Sequence, residues 1–326
     1  MIETENLSKH FTSGSGLLSR FIAPEVVHAV DNVTLTVEKG RTVGLVGESG
    51  CGKSTLGRTL LRLHKPTSGT IHFKGTDIST LSQRELLPLR REMQMVFQDP
   101  HSSLNPKQTV GEILRRPIEF HDLAEGEEAM ERAISLLKQV GMEPEHINRY
   151  PHEFSGGQQQ RISIARALSV DPEFIVLDEP TSALDVSVQS KILSLIEGLQ
   201  ETFDLTLVLI SHDLNVIRHI CDEVAVMYLG ELVEQANADE LFDNPYHPYT
   251  KALLNSIPLP DPHVKVDREQ ALRGNIPSPL DPPEGCRFHT RCPEVMDECK
   301  ENVPELRARS REGKHTERQV KCHLYD

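Results

Sequence analysis

No apolar run in these 326 residues approaches the roughly 18–20 that a membrane-spanning helix needs, which argues against an integral membrane protein. Positive charge is also scarce. The 35 Lys and Arg against 49 Asp and Glu leave a formal net charge of −14, unlike the basic surface of a dedicated nucleic-acid binder. The opening Met1-Ile2-Glu3-Thr4-Glu5 lacks the basic and apolar regions of a secretory signal, so the chain is expected to be made and kept in the cytoplasm. Its six cysteines then read as thiols or metal ligands rather than disulfides. Internal repeats and low-complexity tracts are missing too. What remains is the composition of an ordinary globular protein, long enough for two domains and a sizeable core.

Short β-rich runs fill the first 75 residues: Val26–Val30, Val33–Val37, Thr42–Val46 and Thr70–Phe73. Lys39-Gly40 and Ser68-Gly69 mark turns between them. From Leu81 to about Val170 the pattern is mainly helical; Glu127–Val140 sets Ala129, Ala133, Leu136, Leu137 and Val140 on one face. The continuous apolar runs Phe174–Leu177 and Leu205–Ile210 predict strands buried on both faces of a parallel sheet. Beyond about Ala236 the texture changes. Pro245, Pro248, Pro258, Pro260, Pro262, Pro277, Pro279, Pro282 and Pro283 crowd one region, and four of the six cysteines lie there. This tail reads as a small, loop-rich appendage.

Gly47-Glu48-Ser49-Gly50-Cys51-Gly52-Lys53-Ser54-Thr55 matches the phosphate cradle G-x-x-x-x-G-K-[ST]. It follows a predicted strand and opens a helix, so backbone N–H groups and a helix N-terminus face a polyphosphate. Lys53 would reach the β- and γ-phosphates, Ser54 would ligate Mg²⁺, and Thr55 sits toward the α-phosphate. Asp178 and Glu179 end a buried strand, where ligands of open α/β sheets bind. Asp178 suits Mg²⁺ held through water; Glu179 suits orienting or deprotonating an attacking water. His212 follows the next strand in the same way, within reach of a γ-phosphate. Gln98, after Met95-Val96-Phe97, is placed to touch Mg²⁺ and the water. Ser155-Gly156-Gly157-Gln158 opens a second helix N-terminus suited to an anion. Two anion sites at this separation fit one nucleotide enclosed between two copies of the domain.

The ordered set of cradle, Gln98, Ser155–Gln158, Phe174–Glu179, Ser182-Ala183-Leu184-Asp185 and His212 resembles an ABC transporter nucleotide-binding subunit over roughly residues 1–235. The resemblance implies an α/β fold: a P-loop NTPase ABC ATPase domain at 1–236, with a parallel-sheet core, an antiparallel β subdomain and a helical subdomain at about 100–170. It implies ATP and Mg²⁺ as ligands, Phe11 as the adenine-stacking aromatic with His10 as its alternative, Gln98 as the lid residue and Asp185 at a dimer seam. Phe154 stands where many members have Leu. Val96-Phe97-Gln98-Asp99-Pro100, Ser103-Leu104-Asn105-Pro106, Tyr150-Pro151-His152-Glu153-Phe154, Asn244–Thr250, Ile276-Pro277-Ser278-Pro279 and Gly285-Cys286-Arg287-Phe288-His289 extend the likeness to dipeptide/oligopeptide importers, second ATPase subunit type. That narrower resemblance implies a Pro/Cys-rich extension at 237–326, a heterodimer with a homologous ATPase subunit, two integral-membrane permease subunits and an extracytoplasmic solute-binding protein. It places the chain peripherally on the cytoplasmic face of the membrane. Relatives of this pattern import nickel or glutathione, which stand as alternative solutes. Non-transport ABC ATPases of nucleic acid or ribosomes would carry coiled-coil insertions, zinc modules or fused cassettes, and a small-molecule kinase would lack Ser155–Gln158.

Cys286, Cys292, Cys299 and Cys322 contain no tight C-x₂-C pair, which disfavours a zinc ribbon. Four thiols in a segment with little core predict a metal staple. Spacing leaves an iron–sulfur cluster, zinc and free thiols open; the importer resemblance implies a [4Fe-4S] cluster, which four-cysteine ligation allows. Cys51, with Lys53 and a helix N-terminus beside it, is expected to favour its thiolate. Cys221 reads as a buried structural residue.

Overall fold

In a computed structural model of the chain, residues 1–12, 25–256, 274–309 and 318–325 are described. Residues 13–24, with Leu17, Leu18, Phe21 and Ile22, and the prolines at 258, 260 and 262 lie outside them. In chain order come β1 (Ile2–Thr12), β2 (Val26–Val37), β3 (Thr42–Val46), α1 (Lys53–Leu60), β4 (Ser68–Phe73) and β5 (Thr76–Asp77). Then follow α2 (Gln83–Glu92), β6 (Met93–Val96), α3 (Pro100–Ser103), α4 (Val110–Phe120), α5 (Gly126–Gln139) and α6 (Gly156–Leu168). The next group is β7 (Phe174–Asp178), α7 (Val186–Phe203), β8 (Thr206–Ile210), α8 (Leu214–Ile220), β9 (Glu223–Tyr228) and β10 (Glu231–Asn237). Last are α9 (Ala238–Asp243), α10 (Pro248–Asn255), α11 (Glu298–Glu301), β11 (Arg307–Arg309) and β12 (Arg318–Val320).

The chain divides into two compact units: Met1, Glu38–Thr42 and Thr80–Ser211 form one; Ile2–Val37, Val43–Ser79 and His212–Asp326 form the other. In the first, β6, β7 and β8 run parallel, with Met95 opposite Val176 and Leu177 opposite Leu209. Every residue of β7 and β8 is buried, which explains continuous apolar runs where a half-exposed strand would alternate. Around them, α4 and α6 begin on reciprocal capping boxes, Thr109 with Glu112 and Ser155 with Gln158. The stripe read on α5 is buried as expected: Ala129, Ala133, Leu136 and Leu137, with Val140 at its C-cap.

In the second unit β3 pairs parallel with β9, which turns back antiparallel into β10. A separate antiparallel sheet has the order β2-β1-β4-β5. Two departures from the sequence reading occur here. The runs Val26–Val30 and Val33–Val37 form one strand, because Asn32 adopts φ 54° and the pairing with β1 shifts register nearby instead of breaking. The tail also does more than loop: β12 pairs with β10 on one side and β11 on the other, and Tyr249 and Phe288 are almost fully buried.

Candidate functional site

In the second unit the loop after β3 wraps tightly. Gly52 caps α1 at φ 109°, and a Cβ there would lie 2.0 Å from the Ala29 carbonyl oxygen. Only glycine fits so close an approach. Lys53 is buried, and its Nζ donates to the carbonyls of Gly47 at 2.7 Å and Glu48 at 3.0 Å. The ammonium is therefore stored inside the loop whose N–H groups would face a polyphosphate. Ser49 and Gly50 are exposed at the loop's tip, and Ser54 and Thr55 stand half-buried on the first turn of α1.

Cys51 corrects the sequence reading. It is buried, and that burial pushes its thiol above the ordinary range although Lys53 Nζ, 3.6 Å from its Sγ, pulls the other way. Desolvation wins over the nearby cation. Phe11 remains exposed on β1, with the Lys9 ammonium 4.8 Å from its ring centroid and His64 edge-on at 5.4 Å. His10, the alternative, turns to Asp31 at 3.3 Å and lies 4.3 Å from the His28 ring. His212 is exposed just after β8.

The first unit holds the carboxylates. Parallel pairing aligns the C-terminal ends of β6, β7 and β8, bringing Gln98, Asp178, Glu179 and Ser211 to one edge. Asp178 is 1% exposed. Glu179, just past the end of β7, has φ 47°, and its N–H donates to Ile210 O at 3.0 Å. Gln98 Nε2 donates to Glu179 Oε2 at 2.9 Å. This direct bond joins two residues 81 positions apart that the sequence proposed separately. Ser155 caps α6, its Oγ accepting from the Gln158 N–H at 3.4 Å, with Gly156 and Gly157 in the first turn. Asp185 is exposed at the start of α7, its carbonyl accepting the Val188 and Gln189 N–H groups.

Spacing gave no warning of two arginines that the C-terminal segment sends back within the second unit. Arg287 pairs with Asp31, with Glu231 at 3.3 Å and with the Leu229 carbonyl at 2.5 Å. Burial alone would raise the Asp31 carboxyl, but Arg287, His28 and His10 together hold it below its usual value. Among the described residues His10, His28 and Asp31 are the one triple with metal-ligand closeness, yet the guanidinium on Asp31 already neutralises it. Arg291 takes Glu48 of the cradle.

The four tail thiols act on one another's charge. Burial first, then their neighbours' repulsion, pushes Cys292 to about 11 and Cys322 to about 12, and burial raises Cys286. No three of these sulfurs lie within 4.8 Å of one another. Sulfurs around a tetrahedral zinc with bonds of about 2.3 Å would stand roughly 3.8 Å apart.

Residues 30–182 match the family described as ABC transporter, and residues 233–299 match the oligopeptide/dipeptide transporter C-terminal region. The chain is 51% identical over 327 aligned residues to the oligopeptide transport ATP-binding protein AppF of Bacillus subtilis (strain 168), covering 100% of this chain and 97% of that one. Among solved structures it resembles the ATP-binding cassette MJ0796 in a dimeric post-hydrolysis state bound to ADP and Pi: TM-score 0.65, 33% identity, 73% of this chain and 99% of that one. It also resembles cbiO1 of Clostridium perfringens, part of the ABC transporter complex cbiONQ: TM-score 0.64, 29% identity, 74% of this chain and 90% of that one.

Proposed function

The chain belongs to the ABC transporter ATP-binding family, with the oligopeptide/dipeptide transporter C-terminal region, and we infer that it hydrolyses ATP to energise import of di- and oligopeptides. The observation that best supports hydrolysis is the Gln98–Glu179 hydrogen bond at the ends of buried parallel strands, beside the buried Asp178 carboxylate.

The triphosphate sits against the N–H groups of residues 47–55, with Lys53 leaving its carbonyl partners for the β- and γ-phosphates and Phe11 stacking on adenine. Ser54, Gln98 and Asp178 are the residues that would hold Mg²⁺, which when bound neutralises phosphate charge. Glu179 orients water and accepts its proton while Gln98 fixes the carboxylate and His212 hydrogen-bonds the γ-phosphate. Water oxygen bonds to the γ-phosphorus as the bond to the ADP oxygen breaks, giving ADP and phosphate. Ser155, Gly156, Gly157 and Gln158 of an opposing ATPase subunit cover the γ-phosphate, with Asp185 at the seam.

The wider assembly in this reading is a heterodimer with a homologous ATPase subunit on two permease subunits, served by an extracytoplasmic solute-binding protein, with this chain peripheral on the cytoplasmic face. Functionally, residues 1–236 form the ATPase domain, with its helical subdomain at about 100–170, and 237–326 the extension. Cys286, Cys292, Cys299 and Cys322 hold an iron–sulfur cluster that staples the extension, with zinc as the alternative; four thiols in one proline-rich segment are what supports a metal staple.

The test is the transporter reconstituted in vesicles. Glu179→Gln should bind ATP within about twofold of wild type, yet lose peptide uptake and slow hydrolysis roughly 10²–10⁴-fold. Hydrolysis and uptake at wild-type rate would remove the assignment.

A further inference from the structure

Glu48 places a carboxylate inside a loop read as wrapping polyanionic phosphate, where a negative charge is unfavourable. The structure shows how the second unit manages it. Arg291 is 8% exposed, and its two terminal nitrogens donate to the two Glu48 oxygens at 2.6 and 3.0 Å. The same guanidinium reaches Tyr228 Oη at 3.4 Å and lies 5.8 Å from that ring's centroid. Tyr249, packed on Tyr228 and Phe288, accepts the Glu48 backbone N–H at 2.9 Å. Lys53 takes the Glu48 carbonyl. Side chain, N–H and carbonyl of one cradle residue are thus all held, two of the three from beyond residue 245.

We propose that Arg291 is a positioning residue for ATP binding: by gripping Glu48 at both oxygens it neutralises and orients the cradle's own carboxylate, and so makes nucleotide affinity depend on the C-terminal segment 285–292. A paired, planar guanidinium suits this task better than a lysine, because it matches both carboxylate oxygens at once. Arg291 lies next to Cys292, and Arg287 next to Cys286, so whatever orders those thiols also sets where the two arginines stand. Gly285 is equally tied in: a Cβ there would meet the Cys299 carbonyl oxygen at 2.5 Å.

The proposal rests on residues 47–55 holding the triphosphate. The experiment titrates the purified full chain with ATP carrying a fluorophore on its ribose, at low and high salt, and records thermal unfolding of each variant. Arg291→Ala should weaken ATP binding about tenfold at low salt and less at high salt, since an exposed carboxylate then repels phosphate. Arg291→Lys should recover part of the loss. Adding Glu48→Gln to Arg291→Ala should restore affinity to within about twofold of wild type, an outcome that simple loss of packing would not produce. If Arg291→Ala fails to fold, Arg291→Gln, which keeps volume and a polar end, replaces it in the same comparison. A folded Arg291 variant with wild-type affinity, or one that Glu48→Gln does not rescue, overturns the proposal. Lys53→Ala separates the two levels: if it too binds ATP normally, the cradle assignment itself fails, whereas loss there with normal Arg291 variants removes the coupling alone.

Discussion

Substituting Gly52 by alanine tests the cradle's geometry most directly. At φ 109° an L-residue leaves its comfortable regions, at a cost on the order of 1–3 kcal/mol. The new Cβ would also stand 2.0 Å from the Ala29 oxygen and 2.8 Å from Met227 Cε. The methionine end can swing away; the Ala29 carbonyl cannot, being backbone of β2. Separating carbon and oxygen to van der Waals contact needs a shift of about an ångström in either α1 or β2, which adds roughly 1–3 kcal/mol of the overpacking kind. The sum is about 4 kcal/mol. Gly50 supplies the control, since at φ 79° a Cβ meets nothing within 4 Å and only the left-handed penalty of roughly 1–2 kcal/mol applies. At about 2 °C per kcal/mol in a chain this long, Gly52→Ala should melt roughly 8 °C below wild type and Gly50→Ala roughly 3 °C below. Differential scanning fluorimetry of the full chain without nucleotide reads both. Equal midpoints for the two variants would refute the close approach of the loop to β2.

Cys51 should alkylate slowly, at least tenfold below a free thiol such as glutathione at pH 7.5, because its thiol is buried and its ionisation disfavoured; peptide mapping by mass spectrometry gives the rate, and one at or above the free thiol's would reinstate an activated thiolate. Protein purified without oxygen should carry stoichiometric iron that Cys299→Ser removes, and colourless, iron-free wild type would dismiss the cluster.

Legibility in the sequence followed the distance between the residues that act together. The cradle is one contiguous string, and its chemistry and its helix start are written in nine neighbouring residues. The strands bearing Asp178 and preceding His212 announced themselves because burial on both faces demands unbroken apolar runs. Gln98 was a weaker signal; only pairing of β6 with β7 makes it a partner of Glu179. The thiol of Cys51 misled because sequence displays the cation two residues on but not the surroundings that exclude water. The join of β2 was hidden because polar Asp31 and Asn32 interrupt the runs Val26–Val30 and Val33–Val37, while a single residue at positive φ lets the strand pass through.

The C-terminal arginines were beyond reach for a more basic reason. Arg291 has 49 acidic residues in the chain to choose from, and its choice, Glu48, is 243 positions away. Nothing in spacing narrows that choice; it follows only once β9 and β10 have placed Tyr228 beside the cradle and α10 has brought Tyr249 against it. Arg291 is buried while Glu48 is half-buried, so removing the carboxylate leaves a buried guanidinium unpaired, and removing the guanidinium leaves an uncompensated carboxylate in the cradle. Glu48 and Arg291 therefore constrain each other: an acidic cradle residue is tolerable because the extension supplies a cation, and the extension's buried arginine is tolerable because the cradle supplies an anion. The extension is on this argument an electrostatic part of the nucleotide site.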